Sequence, residues 1–423
     1  MLKRLITRYK NSEFLVNITK LGSATTIAQF ISVGTAPILY RIYDKSHYGT
    51  LGLYMAITGV IGVFSTLQYV QTILLEKEDE DAINAMWLNR TINTGFALLT
   101  LVVILILFPF IIDWVNNPSL NKWLWFVPVS IFFAGQNQIF RVWANRKKEY
   151  NLLTFNMVFM AILTPLISIG LGYALQNETG LFIGLIVGQS LPTLILFLGL
   201  RKKYELGFGA ASFQKMKNLA IANKQFPIYS LPSEFVNRFT NQLPVFMLNS
   251  FVGPAAVGVY NLAIRMLGLP IQFIGGAIST VFQQRATEDY NNTGSCRPIF
   301  LKTLKTLSLI AVVPTLVVLL FGPDMFALVF GEKWREAGIY AQILIFLHSL
   351  KLIISPLSYI FFIARKQKVE LYFAVFLACS SLILYLYSRN LGVYQILFFH
   401  TLIFSLSYLF TLYLSYSYAN YKL

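Results

Sequence analysis

The sequence predicts an all-α integral membrane protein: about twelve transmembrane helices in two six-helix lobes, with both termini cytoplasmic. Three observations predict it. The 423 residues are 56% hydrophobic and only 12% charged, with a mean hydropathy of +0.61, whereas soluble domains carry roughly 25% charged residues. Apolar runs of about 20 residues, the length that crosses a bilayer as a helix, recur from end to end. No sustained alternation of period two is present, so a transmembrane barrel is excluded.

The elements follow in order. Residues 1–20 hold Lys3, Arg4, Arg8, Lys10 and Lys20, an amphipathic lead-in on the cytoplasmic face, with no cleavable signal pattern. Span 1 is expected over about 21–40 and span 2 over about 49–75, with the acidic loop Glu76–Asp81 after it. Spans 3 and 4 are expected over about 91–112 and 123–144, and the basic loop 145–151 leads to spans 5 and 6, about 152–175 and 180–200. Residues 201–225, with six Lys or Arg, form the longest connection. Spans 7 and 8 fill 226–284, span 9 about 301–321, span 10 about 338–364, and spans 11 and 12 most of 371–418. Trp114, Trp123 and Trp125 fit an aromatic belt at the outer interface.

Orientation follows from the cations. With the N-terminus inside, the inner segments carry about four times as many Lys and Arg as the short outer loops. The formal charge of +16 is therefore a topology signal and an affinity for anionic membrane lipids, and no nucleic-acid partner is expected. Cys296 and Cys379 form no metal or redox motif. There is no phosphate-binding loop and no nucleophile-plus-base spacing, so neither an ATP-driven pump nor a cofactor is expected.

Punctuation repeats at near-constant offset. Tyr48-Gly49 corresponds to Val257-Gly258, Glu80-Asp81 to Glu288-Asp289, and Arg146-Lys147-Lys148 to the basic run from Arg365 to Lys368. This predicts two parallel halves, an N-lobe over 1–200 and a C-lobe over 226–423, joined by the cytoplasmic linker 201–225, as in two-lobed transporters whose site lies between the halves.

Polar stripes mark candidate site residues. Glu234, Arg238 and Asn241 stand at steps of four and three on span 7. Asn261, Arg265, Gly268, Gln272, Gly275 and Ser279 stand at steps of three and four on span 8. His348, Lys351, Ser355 and Ser358 repeat the pattern on span 10, and Arg141 follows Gln136, Asn137 and Gln138 on span 4. An ionised group in hydrocarbon costs roughly 3 kcal/mol or more, so such groups face a protein interior or a wet cavity. The stripes predict a cavity wall that receives an anion. Arg238 can alternatively pair with Glu234 one turn earlier, Arg141 can snorkel to the headgroups, and the serine face around Lys351 can serve helix packing. Pro244 and Pro270 are candidate hinges.

Three motifs then carry a resemblance. Arg41-Ile42-Tyr43-Asp44-Lys45-Ser46-His47-Tyr48-Gly49 resembles the R-x-Y-x-x-x-x-[FY]-G that follows the first span of lipid-linked oligosaccharide flippases. The run Phe251 to Tyr260 resembles their LGPxAVGxY turn, and Phe330 to Gly338 resembles their FGxxWxxAG. With the acidic loop after span 2, these cover most of the chain in order. The chain resembles the O-antigen or capsule repeat-unit flippases (Wzx type) of the multidrug/oligosaccharidyl-lipid/polysaccharide exporter superfamily.

The resemblance implies a V-shaped pair of six-helix lobes, alternating access, and a bacterial cytoplasmic membrane location. It implies an undecaprenyl-pyrophosphate-linked oligosaccharide as substrate and a polysaccharide polymerase as a partner. Arg238, Arg265, Lys351, Arg141, Asn241 and Gln272 are then expected to bind substrate, since guanidinium forks match phosphate oxygens. Glu234 and His348 are the candidates for coupling to a proton or sodium gradient, each with a purely structural role as the alternative. A multidrug exporter of the same superfamily would want acidic residues in span 1, and 21–40 has none. A polysaccharide polymerase would want a long outer loop, and the outer loops here are short. A peptidoglycan-precursor flippase usually has fourteen spans.

Overall fold

The computed structural model describes residues 13–115, 117–204, 211–364 and 366–419. The lead-in cations Lys3, Arg4, Arg8 and Lys10, linker residues 205–210, and Arg365 lie outside the described residues. Among the described residues the structure is helical, without strands. Its principal helices are α1 (Glu13–Ile42), α2 (Lys45–Gly62), α3 (Asp79–Val115), α4 (Val127–Arg146), α5 (Tyr150–Leu175), α6 (Thr179–Tyr204), α7 (Phe213–Ala222), α8 (Leu231–Phe251), α9 (Pro254–Pro270), α10 (Gly276–Thr293), α11 (Arg297–Phe330), α12 (Arg335–Leu357), α13 (Gln367–Tyr387) and α14 (Val393–Tyr418).

Nine segments among the described residues are long and apolar enough to cross a membrane. Three more helices, α1, α4 and α8, have 20 residues or more but fall outside that set. For α4 and α8 the cause is the polar stripe itself: Gln136, Asn137, Gln138 and Arg141 on one, Glu234, Asn237, Arg238 and Asn241 on the other. The outer faces of the apolar helices are what lipid requires. Leu98, Leu99, Val102, Leu105, Ile106 and Phe110 on α3 are exposed, as are Leu309, Val313, Leu316 and Leu320 on α11. Helices keep their backbone polar groups satisfied internally, so such faces are stable only against hydrocarbon.

The chain divides into two compact units, one of Met1–His47 with Tyr54–Phe235, the other of Tyr48–Leu53 with Val236–Leu423. The first unit has a core of Val70, Ile73, Trp87, Ile139, Phe140, Trp143, Leu196 and Leu200, built where α3, α4 and α6 meet. Its corner is tied by Arg146, whose Nη1 donates to the carbonyls of Ile73 (3.2 Å) and Glu76 (2.6 Å), while Lys147 pairs with Asp79. The linker helix α7 is fastened to the same unit. Lys215 pairs with Glu80 at 2.6 Å, the Ser212 amide donates to Asn84 Oδ1 at 2.8 Å, and Tyr69 Oη donates to the Ala220 carbonyl at 3.0 Å.

The second unit gathers the motif residues. Tyr48 packs edge-on against Trp334, with ring centroids 5.8 Å apart. Gly49 lies so close to Pro254 that a Cβ would stand 1.6 Å from the Pro254 carbonyl oxygen. A second core, of Phe282, Ala286, Tyr290, Phe300, Leu357, Ile360 and Phe361, fills the other end of this unit.

Three expectations change. Span 3 begins well before residue 91: α3 runs unbroken from Asp79, because Asp79, Glu80 and Asp81 in its first turn complement the helix N-terminus. Arg90, expected among the cytoplasmic segments, therefore lies eleven residues into the helix. Trp123 is not a belt residue; it is 5% exposed and stacks flat on Phe182 at 4.2 Å, whereas Trp114 is exposed. The stripe on span 8 does not continue as one face. The residues Ile271–Gly275 form a wide π turn after Pro270, and the extra residue in that turn shifts the register. Gln272 is exposed there, and Gly275 is buried.

Candidate functional site

Arg141 stands at the mouth of a polar pocket in the first unit. Asn137, Gln138 and Asn145 line it with Arg141, Leu153 and Met157 close it from α5, and its volume is about 480 Å³. These polar groups sit on α4 at steps of one, three and four residues, which brings them to one side of the helix. Arg141 is exposed and Asn137 is buried. Asn137 Nδ2 donates to Thr193 Oγ1 at 3.0 Å and to Asn156 Oδ1 at 3.3 Å, and Asn156 Nδ2 donates to the Pro192 carbonyl at 3.0 Å. Pro192 cannot continue its helix's hydrogen-bond ladder, and α5 supplies an amide near that break. The pocket thus has an exposed cation and a buried amide held by hydrogen bonds on the same side of α4.

A second polar cluster in this unit escaped the sequence reading. The Arg90 guanidinium lies over the rings of Trp87 (4.1 Å), Phe197 (4.7 Å) and Phe140 (5.2 Å). Its Nε donates to Gln136 Oε1 at 3.1 Å, and Gln136 Nε2 donates to Asn93 Oδ1 at 2.9 Å. Gly135 makes room for this: a Cβ there would stand 2.1 Å from Asn93 Nδ2. The cage binds α3 to α4 and α6, and desolvated cation–π contacts of this kind are worth about 2 kcal/mol. The only available signal was the spacing of Asn89, Arg90 and Asn93 on one turn, which does not reveal the rings from other helices.

Arg238 and Asn241 are exposed on α8, and Glu234 is half-buried one turn before them. Asn241 Nδ2 donates to both the carbonyl and Oδ1 of Asn237, at 2.8 Å each. Towards the C-terminal end of α8, Leu243, Val245, Met247 and Leu248 are buried. Arg265 is half-buried on α9.

Lys351 lies on α12 with its Nζ 6.0 Å from the ring centroids of both Phe404 and Tyr408 on α14. No described residue gives it a carboxylate partner. His348, one turn away, is buried, with Nδ1 3.1 Å from the Leu344 carbonyl. His400 is buried against Phe404 at 4.3 Å between ring centroids. Arg141 is thus brought together with amides in the first unit, and His348 with Lys351 in the second.

Two acidic groups outside the helices are strongly paired. Burial pushes the Glu178 carboxyl up, but the Lys122 ammonium at 2.8 Å, a backbone hydrogen bond and the neighbouring His47 together hold the carboxyl below the usual range. Glu149 behaves alike: burial raises it, and hydrogen bonds from Lys203 and Tyr204 bring it down. Among the described residues no cluster of His, Cys, Asp or Glu could hold a metal ion.

The fold, the lipid-facing helices and the polar groups carried within them define a multi-pass membrane protein. Solved structures agree on the fold. The chain is similar to an inward-facing multidrug resistance MATE family transporter of the MOP superfamily, with a TM-score of 0.71 and 13% identity over 93% of this chain and 97% of that one. It is similar to the lipid II flippase MurJ in an inward closed conformation, with a TM-score of 0.72 and 14% identity over 93% and 86% of the two chains.

The chain belongs to the polysaccharide biosynthesis protein family, whose profile matches residues 38–339. It is 22% identical to the lipopolysaccharide biosynthesis protein WzxC of Escherichia coli K12 over 84% of this chain and 70% of that protein. It is 25% identical to the teichuronic acid biosynthesis protein TuaB of Bacillus subtilis 168, over 64% of this chain and 54% of that one.

Proposed function

We propose that this protein flips a polyprenyl-pyrophosphate-linked oligosaccharide from the cytoplasmic to the outer leaflet of a bacterial cytoplasmic membrane, for polysaccharide synthesis. The observation that carries the proposal is the Arg141 pocket. A guanidinium beside three side-chain amides offers a fork for phosphate or carboxylate oxygens and donor–acceptor groups for sugar hydroxyls. A pocket for a cationic drug would need carboxylates instead.

Within the second unit, Arg238 and Asn241 offer the same chemistry on α8, and Arg265 and Gln272 on the helical segments that follow. Charged and amide groups exposed on helices of this length belong in water, not lipid. Alternating access would carry the headgroup across while the chain remains in the membrane. Energy would come from a proton or sodium gradient, with Glu234 and His348 as candidate coupling groups, or from consumption of the product by a polymerase.

The test is reconstitution in proteoliposomes containing a fluorescent lipid-linked oligosaccharide, with an impermeant quencher reporting its leaflet. Protein-dependent exchange between leaflets supports the proposal. No exchange of the lipid-linked sugar, together with movement of a cationic dye, would replace it with multidrug export.

A further inference from the structure

Two of the chain's three histidines lie beside a lysine inside the second unit. His348 and Lys351 stand one turn apart on α12, and His400 stands on α14, which packs along α12. Both histidines are buried, and Lys351 is half-buried. Lys351 acts electrostatically on both rings, and His348 acts on His400. The three side chains are one cluster of bases.

No acid joins them from any helix packed around α12 and α14. α14 itself carries no Lys, Arg, Asp or Glu, and neither do residues 371–387 of α13. Thr315 Oγ1 and Ser349 Oγ, 2.6 Å apart, set α11 against α12, and the nearest charged residues of α11, Lys305 and Asp324, are ten and nine positions from Thr315. A Cβ on Gly275 would meet Leu352 at 3.4 Å, and the nearest charged residues on either side of Gly275 are Arg265 on α9 and Arg285 on α10, ten positions away each. Ten positions are about 15 Å of helix. The titratable group that does lie beside Lys351 is Tyr408, with Phe404 next to it. Three like charges with no counter-ion are costly in such surroundings, so the bases compete for protons and a proton on one disfavours a proton on the others. His348 Nδ1 lies 3.1 Å from the Leu344 carbonyl, which can only accept; Nδ1 therefore carries the hydrogen, and Nε2 is the nitrogen open to a proton. A hard cation such as sodium wants oxygen ligands and is repelled by an ammonium.

We propose that His348, Lys351 and His400 are the proton site that couples transport, with one proton held among them, and that Lys351 serves there and not as a substrate ligand. The proposal rests on the flippase reading and names its driving ion. One proton is taken up from one side of the membrane and released to the other in each cycle, and no other bond is made or broken. The proton has a structural consequence. An ammonium at Lys351 is attracted to the faces of Phe404 and Tyr408, 6.0 Å away, and a neutral amine is not, so protonation favours packing of α12 on α14. The polar face of α12 continues from Lys351 through Ser355, which is exposed, to Ser358, whose Oγ donates to the Ser355 carbonyl at 2.9 Å. That face gives protons from water a way in along the end of the helix.

The experiment has two arms, both on the full-length protein. In nanodiscs without substrate, histidine-selective nitrogen NMR follows the rings through pH. The signals of His348 and His400 are expected to shift together over one interval between pH 5 and 9, and Lys351→Arg, whose guanidinium keeps its proton, is expected to abolish that shared shift. In proteoliposomes, the steady-state leaflet ratio of a lipid-linked oligosaccharide is measured with and without a gradient of one pH unit. One proton per cycle is expected to move that ratio by up to about tenfold toward the acidic side, and Lys351→Arg and His400→Gln are each expected to show no such movement. Arginine would rescue a lysine that only binds an anion, so a full gradient response in Lys351→Arg overturns the proposal. His400→Gln carries the test should Lys351→Arg not fold. Histidine signals that shift independently of each other also overturn it. Translocation that ignores the gradient sinks the proton site alone, and a shared histidine shift without translocation sinks the flippase reading alone.

Discussion

Tyr48 meets Trp334 edge-on, with ring centroids 5.8 Å apart and planes at 79°. The two residues come from motifs almost 300 positions apart, and a third motif joins them through Gly49 and Pro254. Trp334 is fully buried and Tyr48 nearly so. In this chain the motif positions secure the ends of α2, α9 and α12 to one another. Gly49→Ala would drive a methyl into the Pro254 carbonyl, which has no rotamer with which to yield. Overpacking of this kind costs about 1–3 kcal/mol or more. The variant is expected to unfold at clearly lower temperature in detergent, whereas Gly59→Ala, with open space around it, is expected to match wild type.

The two arginines of the first unit should separate structure from transport. Arg90→Ala removes a cation from three rings and a hydrogen bond from Gln136, a loss on the order of 2–3 kcal/mol. It is expected to lower thermal stability. Arg141→Ala removes an exposed side chain at a pocket mouth and is expected to leave stability within about 0.5 kcal/mol while slowing translocation. Thermal unfolding and transport of both variants, measured side by side, check the assignment.

Acid should weaken the Glu178 and Glu149 corners in a defined window. Both carboxyls are held below their usual range. Their contribution to stability is therefore complete above the unfolded carboxyl value of about 4.3 and is lost as pH falls through the lower folded values. Between pH 5 and 8 these groups should leave the unfolding temperature unchanged. Below about pH 4 wild type should lose stability faster than Glu178→Gln, which lacks that titration, when both are scanned by thermal unfolding.

Much of the architecture was legible because lipid imposes long apolar helices, and these are visible residue by residue. The stripes on α4 and α8 were legible for the same reason: Arg141 and Arg238 violate the apolar rule. What could not be read were contacts between segments distant in sequence. The Arg90 cage needs Phe140 and Phe197 from two other helices, and Trp123 finds Phe182 across some sixty residues. Helical spacing also assumes an unbroken α-helix, so the π turn at Ile271–Gly275 put Gln272 and Gly275 on different faces without warning.

The most direct measurement is translocation of one lipid-linked oligosaccharide by wild type, Arg141→Ala and Arg238→Ala, each confirmed folded and inserted at equal density. The wild-type protein is expected to move the lipid between leaflets, and each arginine variant to do so about tenfold more slowly, equivalent to some 1.4 kcal/mol at the rate-limiting barrier. Equal rates in all three would show these arginines to be structural and contradict a cationic path for the headgroup.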